Sequence, residues 1–350
     1  MKTRTLLIDS SYLLKRSYHG AKDIYTNSFG HCGGLYSFMT TLRKLIKQHM
    51  INKVVLVWDG ENGGIERYRI DHAYKANRLS KQWHTKIEMT EYELKREKEK
   101  QDSVLKQRKR IQEYAEELFI RQIEVDEIEA DDIIASYCYK YNNKEEIYLY
   151  SNDRDFAQLL DLNITIIFPN IDQPVTRVNY MMYFNHHYLN ALTLKIIEGD
   201  VADNIHGIDG LKEKTLLKHF PELVFRYVSV REICKRAKEI NEQRLSEKKK
   251  PLKALKALLD NVERLKINHQ LINLSTPMLN EAAEEEILQL DMPLSPEGRS
   301  SQNLHRMMKE DEFLSVYGGT FVNYVEPFYS IIMHENQLHK EYEKKSRILH

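Results

Sequence analysis

Two short apolar runs in the first sixty residues, RTLLID and KVVLVWD, each end on an aspartate, Asp9 and Asp59, and a helix-like stretch from about Gly34 to His49 lies between them. The arrangement recurs. EIYLYSND near residue 150 and ITIIFP near 166 are two further runs, with apolar-periodic stretches at Ile111 to Phe119 and Asp131 to Tyr141 before them. Strands alternating with helices predict an α/β chain built on a mostly parallel sheet. In such a sheet the ligand crevice opens beyond the carboxyl ends of the strands, where Asp9, Asp59 and Asp153 are expected to converge.

The stretch from Arg78 to Arg110 has another character, with 11 Lys or Arg against 6 Asp or Glu and neither Gly nor Pro. It reads as a polar, helix-favouring insertion. Beyond about Tyr180 no clear strand is expected, and helices run to the end, with a loop at residues 292 to 301, MPLSPEGRSS. Cys32, Cys138 and Cys234 lie far apart without a CxxC spacing, which excludes a disulfide framework and a zinc module. No run of eighteen apolar residues is present and the opening turns acidic early, so a reducing cytoplasm and no membrane contact are expected.

Nine carboxylates fall in five short motifs: Asp9 in LLIDSS, Asp59 in VLVWDG, Glu129, Asp131 and Asp132 in IEADDIIA, Asp153 and Asp155 in SNDRDFAQLL, and Asp200 and Asp203 in EGDVADNI. Any one of them alone reads best as a cap or turn residue. As a set gathered on one sheet edge they repel, by roughly 4 kcal/mol for a pair ~4 Å apart at an effective dielectric near 20. No basic residue recurs beside the motifs, so either several acids are protonated or divalent cations sit among them. Oxygen ligands without His or Cys favour magnesium or manganese over zinc. Two such ions suit the in-line displacement of a phosphodiester. The 52 acidic and 52 basic residues cancel, yet without those nine acids the bases are in excess by nine. A basic body around an acidic pit is the pattern expected of a protein that holds a polyanionic backbone.

LLIDSSYLLKRSYHG, VLVWDGENGGIERYRIDHAYKANR, EIEADDIIA, SNDRDFAQLL and GDVADNIHGIDGLKEKT resemble, in order, the motif blocks of the 5′-nucleases: flap endonucleases, phage 5′-exonucleases and ribonucleases H, and the 5′-nuclease domain of bacterial DNA polymerase I. The likeness covers roughly residues 4 to 220, and the stand-alone length is similar to phage members. It implies a PIN-like sheet with two Mg²⁺ ions, Mn²⁺ substituting. One ion is implied on Asp9, Asp59, Glu129 and Asp131, and a second on Asp153, Asp155, Asp200 and Asp203, with Asp132 a further acid of the EADD block. Lys75 and Arg78 of YKANR are implied at the scissile phosphate, and Arg16 at another phosphate. Tyr74 is a candidate for stacking on a terminal base. Residues 78 to 110 are then the helical arch that takes a single-stranded 5′ end.

The resemblance divides the chain into a nuclease domain at 1–180 and a helical DNA-binding region at 181–350, with a helix-hairpin-helix-like segment at about 199–220. That segment departs from the family pattern, since GIDGLKEKT has Lys212 where the second glycine stands, which argues against the family's potassium ion. Lys212 and Lys214 could contact phosphate directly instead. The function implied is hydrolysis near 5′ ends of branched or nicked DNA, RNA-primed ends included, by a monomer. The alternatives are a PIN-like ribonuclease acting on RNA alone and a DNA-binding relative without chemistry. The aromatic segment FVNYVEPF near residue 325 is a candidate contact for a sliding clamp or single-strand-binding protein, or else core.

Overall fold

A computed structural model of the chain describes residues 2–21, 23–77 and 89–349. Two compact units interleave along the sequence. The first takes residues 1–63, 89–152 and 279–350, and the second residues 64–88 and 153–278.

Four strands of the first unit pair in parallel in the order Arg121–Val125, Lys53–Asp59, Thr3–Asp9, Glu145–Tyr150. Leu6, Leu7 and Ile8 and the run Val54–Trp58 are almost wholly buried, as expected of central parallel strands covered on both faces. Helix Gly33–His49 covers them with Leu35, Phe38, Met39, Leu42, Leu45 and Ile46, a spacing that keeps one face apolar. Helix Ser10–Gly20 starts directly from the first strand, because the Asp9 side chain accepts from the Tyr12 backbone N–H at 3.0 Å and caps it.

The polar insertion and the apolar stretch at Ile111 to Phe119 belong together. From residue 89 they form one helix, Glu91–Glu117, opened by a capping box in which Thr90 and Glu93 satisfy each other's backbone N–H groups. Only its second half is buried, through Gln107, Ile111, Tyr114 and Ala115. The Tyr114 hydroxyl donates to Asp311 at 2.7 Å, and Gln107 accepts from the Leu35 N–H at 2.8 Å.

Residues 279–350 complete this unit. Arg121 lies in a fully buried fork with Glu335, Nε to Oε1 at 2.8 Å and Nη2 to Oε2 at 2.6 Å, and also donates to the carbonyls of Leu290 and Met292. Tyr324, Val325 and Phe328 of the segment proposed for a clamp or single-strand-binding protein are buried core residues, while Phe321 is half-buried against His305 and Val322 is exposed. The stretch 292–300 is loop, as expected. Among the described residues no helix is long and apolar enough to cross a membrane.

The second unit packs Leu194, Ile197, Leu211, Leu216, Phe220 and Ile233 into one core with Leu255 and Leu258. It contains a feature that hydrophobic patterning does not announce: Gly199–Asp200 pairs antiparallel with Ile205–His206 between helices Ala191–Glu198 and Glu213–His219. Gly199 adopts φ +71°, and a Cβ there would lie 2.3 Å from the Gly207 nitrogen. Only glycine allows this close a crossing.

Candidate metal centre and phosphate site

In the first unit, Asp9 and Asp59 end adjacent parallel strands, with Asp9 in register with Val57, so both reach the same sheet edge. Neutral groups are among the partners that hold them. Asp9 Oδ2 accepts from the Ser151 hydroxyl at 3.0 Å, one residue past the end of the Glu145–Tyr150 strand. The Asp59 N–H donates to Ser11 Oγ at 3.1 Å, and Asp59 Oδ1 accepts from the Ala130 N–H at 3.0 Å, at the start of helix Ala130–Tyr141. Gly60 makes that approach possible, since a Cβ there would lie 1.7 Å from the Val125 carbonyl oxygen.

The same helix start carries Glu129 as its N-cap residue, with Asp131 and Asp132 in the first turn. Carboxylates are favoured at that positive end of the helix. Glu129 is buried, Asp131 half-buried, and Asp132 only 1% exposed, so Asp132 is seated in the body of the unit. Four of the nine acids, Asp9, Asp59, Glu129 and Asp131, are thus brought to one edge of one unit, with Asp132 buried in the same helix turn.

The other four lie in the second unit. Asp153 caps the short helix Arg154–Leu162 by accepting from the Asp155 N–H at 2.8 Å. Asp200 Oδ1 accepts from the N–H groups of Ala202 and Asp203, at 2.7 and 3.4 Å. Lys195, which the sequence reading did not single out, joins these two motifs: its Nζ lies 2.9 Å from Asp155 Oδ1 and 2.7 Å from Asp200 Oδ2. Burial raises Asp200, but Lys195 and the two backbone donors outweigh it and hold the carboxyl below the usual range. Burial and then the neighbouring Asp153 push Asp155 the other way, up to about 7, although Lys195 pulls it down. Burial opposes the charge of Lys195, but Asp155 and Asp200 together hold its pKa above the ordinary lysine value. Among the described residues no three His, Cys, Asp or Glu side chains are placed closely enough to hold an ion as they stand.

The segment before the arch is sewn to the Asp200 loop within this unit. The Lys75 N–H donates to the Asp203 carbonyl at 2.8 Å, Asn204 Nδ2 to the Ala73 carbonyl at 2.7 Å, and Asn77 Nδ2 to the Val201 carbonyl at 3.0 Å. Lys75 takes φ +52°, sparsely populated for a residue with a Cβ, and such strain persists only where the surroundings impose it. The three cross-links impose it and fix the Lys75 backbone beside the acids.

The remaining expected residues are placed unequally. Arg16 is exposed, 3.4 Å from the Tyr12 hydroxyl. Tyr74 is only 6% exposed, packed with Ile205, Leu271 and Ile272, which corrects the expectation of a stacking platform: its face is used by the core. Lys212 donates to the Glu198 carbonyl at 2.8 Å and so caps the preceding helix, while Lys214 is exposed. Arg78 and the adjoining arch residues to 88 lie outside the described residues. Ser11, Ser151, Asn77, Asn204 and Lys195 were missed. Ser11 and Ser151 sit within two residues of a strand end, and Lys195 is five residues before Asp200, the only signal they offered.

The model of the family described as 5′-3′ exonuclease, N-terminal resolvase-like domain, matches residues 4–188, more than half of the chain. A 5′-3′ exonuclease of Mycoplasmopsis pulmonis is 30% identical over 222 residues, 62% of this chain and 67% of that protein. A 5′-3′ exonuclease of Aquifex aeolicus is 26% identical over 288 residues, 82% and 86% of the two chains. Among solved structures, the fold is similar to the T5 5′-exonuclease with bound divalent metal ions (zinc), with TM-score 0.60, 19% identity, and coverage of 89% of this chain and 99% of that one. It is also similar to the bacteriophage T5 D15 flap endonuclease in a complex with DNA and metal ions, with TM-score 0.61, 18% identity, and coverage of 88% and 99%.

Proposed function

The chain belongs to the 5′-3′ exonuclease family, and we propose that it is a structure-specific 5′-nuclease that hydrolyses phosphodiesters near 5′ ends of branched or nicked DNA, flaps and RNA-primed ends included, with two divalent cations, Mg²⁺ by preference and Mn²⁺ as substitute. The observation that carries the ion reading is the ammonium of Lys195 held between Asp155 and Asp200: the second unit offers a berth that demands positive charge, lined by hard carboxylate oxygen. The donor set of the first unit fits equally, since Asp9, Asp59, Glu129 and Asp131 bring oxygen alone.

One ion is assigned to Asp9, Asp59, Glu129 and Asp131, with Asp132 behind them, and the other to Asp153, Asp155, Asp200 and Asp203. Divalent cations bound there supply acidified water and neutralise charge on the phosphoryl oxygens. Ser151 and the Ala130 N–H donate to the Asp9 and Asp59 carboxylates without cancelling the charge an ion needs, and Ser11 holds the Asp59 backbone by accepting its N–H. Lys75 and Arg78 are assigned to the scissile phosphate, where a cation stabilises the charge that develops on oxygen. Arg16 and Lys214 are exposed and available to backbone phosphates. The functional division proposed is a nuclease part over 1–180 with the arch at about 78–110 and a helical DNA-binding part over 181–350, a division that differs from the two compact units, since residues 279–350 pack with the sheet.

The support from relatives is that the T5 proteins of the same fold carry divalent metal ions, one of them with DNA. The test is a panel of labelled flap, nicked, blunt and RNA-primed duplexes incubated with Mg²⁺. Short 5′ products from flap and nicked substrates are expected, and none in EDTA. Absence of product from every substrate rejects the proposal.

A further inference from the structure

Lys195 poses a problem for an ion-binding site, because its ammonium stands where a second cation is wanted. It is held on both sides, by Asp155 at 2.9 Å and Asp200 at 2.7 Å. A divalent ion brought onto the same oxygens would face an adjacent positive charge, and like charges at contact distance disfavour one another strongly. Either the ion does not bind or the ammonium leaves.

The structure offers it a second place. Glu198 lies three residues on along helix Ala191–Glu198, on the neighbouring position of the same face. Its Oε1 is buried and has no hydrogen-bond partner. Lys195 and Glu198 both line one cavity of about 220 Å³, together with Asp155 and Glu213. A buried acceptor left unsatisfied is costly, and an ammonium swung into that space would satisfy it.

We propose that Lys195 is an exchangeable counter-ion, which pairs with Asp155 and Asp200 in the ion-free protein and moves to Glu198 when a divalent cation takes those two carboxylates. The proposal rests on the ion reading above. Two consequences are distinctive. The ion-free protein keeps its acids paired and stays folded, and the ion binds more weakly than the acids alone would allow, because it displaces a resident charge.

The experiment uses the full-length chain without DNA. Free Mn²⁺ is titrated and followed by electron paramagnetic resonance, and melting is recorded in EDTA and in saturating Mn²⁺, for the wild type, Lys195→Met and Glu198→Gln. Lys195→Met is expected to bind the weaker Mn²⁺ about tenfold more tightly. It should also melt lower in EDTA and gain more from Mn²⁺ than the wild type does. Glu198→Gln removes the second berth and is expected to weaken the same Mn²⁺ by about threefold with its EDTA melting unchanged. The two variants therefore move affinity in opposite directions, and if Lys195→Met does not fold in EDTA the sign of Glu198→Gln decides. Unaltered or weaker Mn²⁺ binding in Lys195→Met, or unaltered binding in Glu198→Gln, overturns the exchange while leaving the ion reading intact. A wild type that binds no Mn²⁺ overturns both.

Discussion

The acids of the two units are held by different chemistry. The described donors to Asp9 and Asp59 include a hydroxyl and backbone N–H groups, which are neutral. Asp155 and Asp200 share an ammonium. A neutral donor fixes where a carboxylate points and leaves its charge in place, whereas an ammonium fixes it by cancelling charge. The described donors of the first group leave its charge in place, whereas Asp155 and Asp200 share theirs with Lys195. Pre-orientation and occupancy are thus separated within one protein.

The largest effects should come from removing a carboxylate on either side. Asp59→Asn and Asp200→Asn are each expected to lower kcat on a flap substrate by at least about 100-fold in saturating Mg²⁺. The two should part in binding: Asp200→Asn leaves one negative charge fewer beside Lys195 and should bind DNA as tightly or more tightly in EDTA. Full turnover by either variant would break the comparison. Next, Lys75→Ala should cut kcat about 100-fold while weakening DNA binding less than about threefold, because a contact that strengthens as charge develops acts on the barrier. Equal losses in both constants would make Lys75 a plain anchor.

A smaller loss is expected where only orientation is removed. Ser151→Ala should reduce kcat by about 10-fold through a loosened Asp9, with the apparent Mg²⁺ requirement raised. Measuring kcat against Mg²⁺ concentration separates that from a loss of fold. The smallest effect belongs to Lys212→Ala. Its ammonium caps the Glu198 carbonyl, so the variant should lose about 1 kcal/mol of stability and leave the salt dependence of DNA binding nearly flat. A salt slope reduced by a full phosphate contact would return Lys212 to the DNA-binding residues.

The sheet was legible because parallel strands are apolar along their length and two of them end on aspartate; Lys53–Asp59 has the boundaries the sequence suggests, and Thr3–Asp9 starts one residue before the run RTLLID. Helix Ala130–Tyr141 was legible from its period. The short pairing of Gly199–Asp200 with Ile205–His206 was not, since two-residue strands carry no periodic signal and depend on the backbone approach at Gly199. The acids could be picked out because carboxylates after apolar runs stand out. Lys195 could not, because a lysine in a helix is ordinary until the fold brings Asp155, forty residues earlier, against it. Tyr74 misled for the converse reason: an aromatic in a basic motif reads as a base platform, and its burial is visible only in three dimensions.

The fork between Arg121 and Glu335 spans 214 residues of sequence inside a single unit. During synthesis the guanidinium emerges long before its carboxylate exists, and a charge of this kind buried without its partner costs about 3–5 kcal/mol. The sheet edge therefore gains that stabilisation only once residue 335 has joined it. A chain cut anywhere before residue 335 would leave the Arg121 guanidinium buried without its carboxylate and the first unit open to local unfolding.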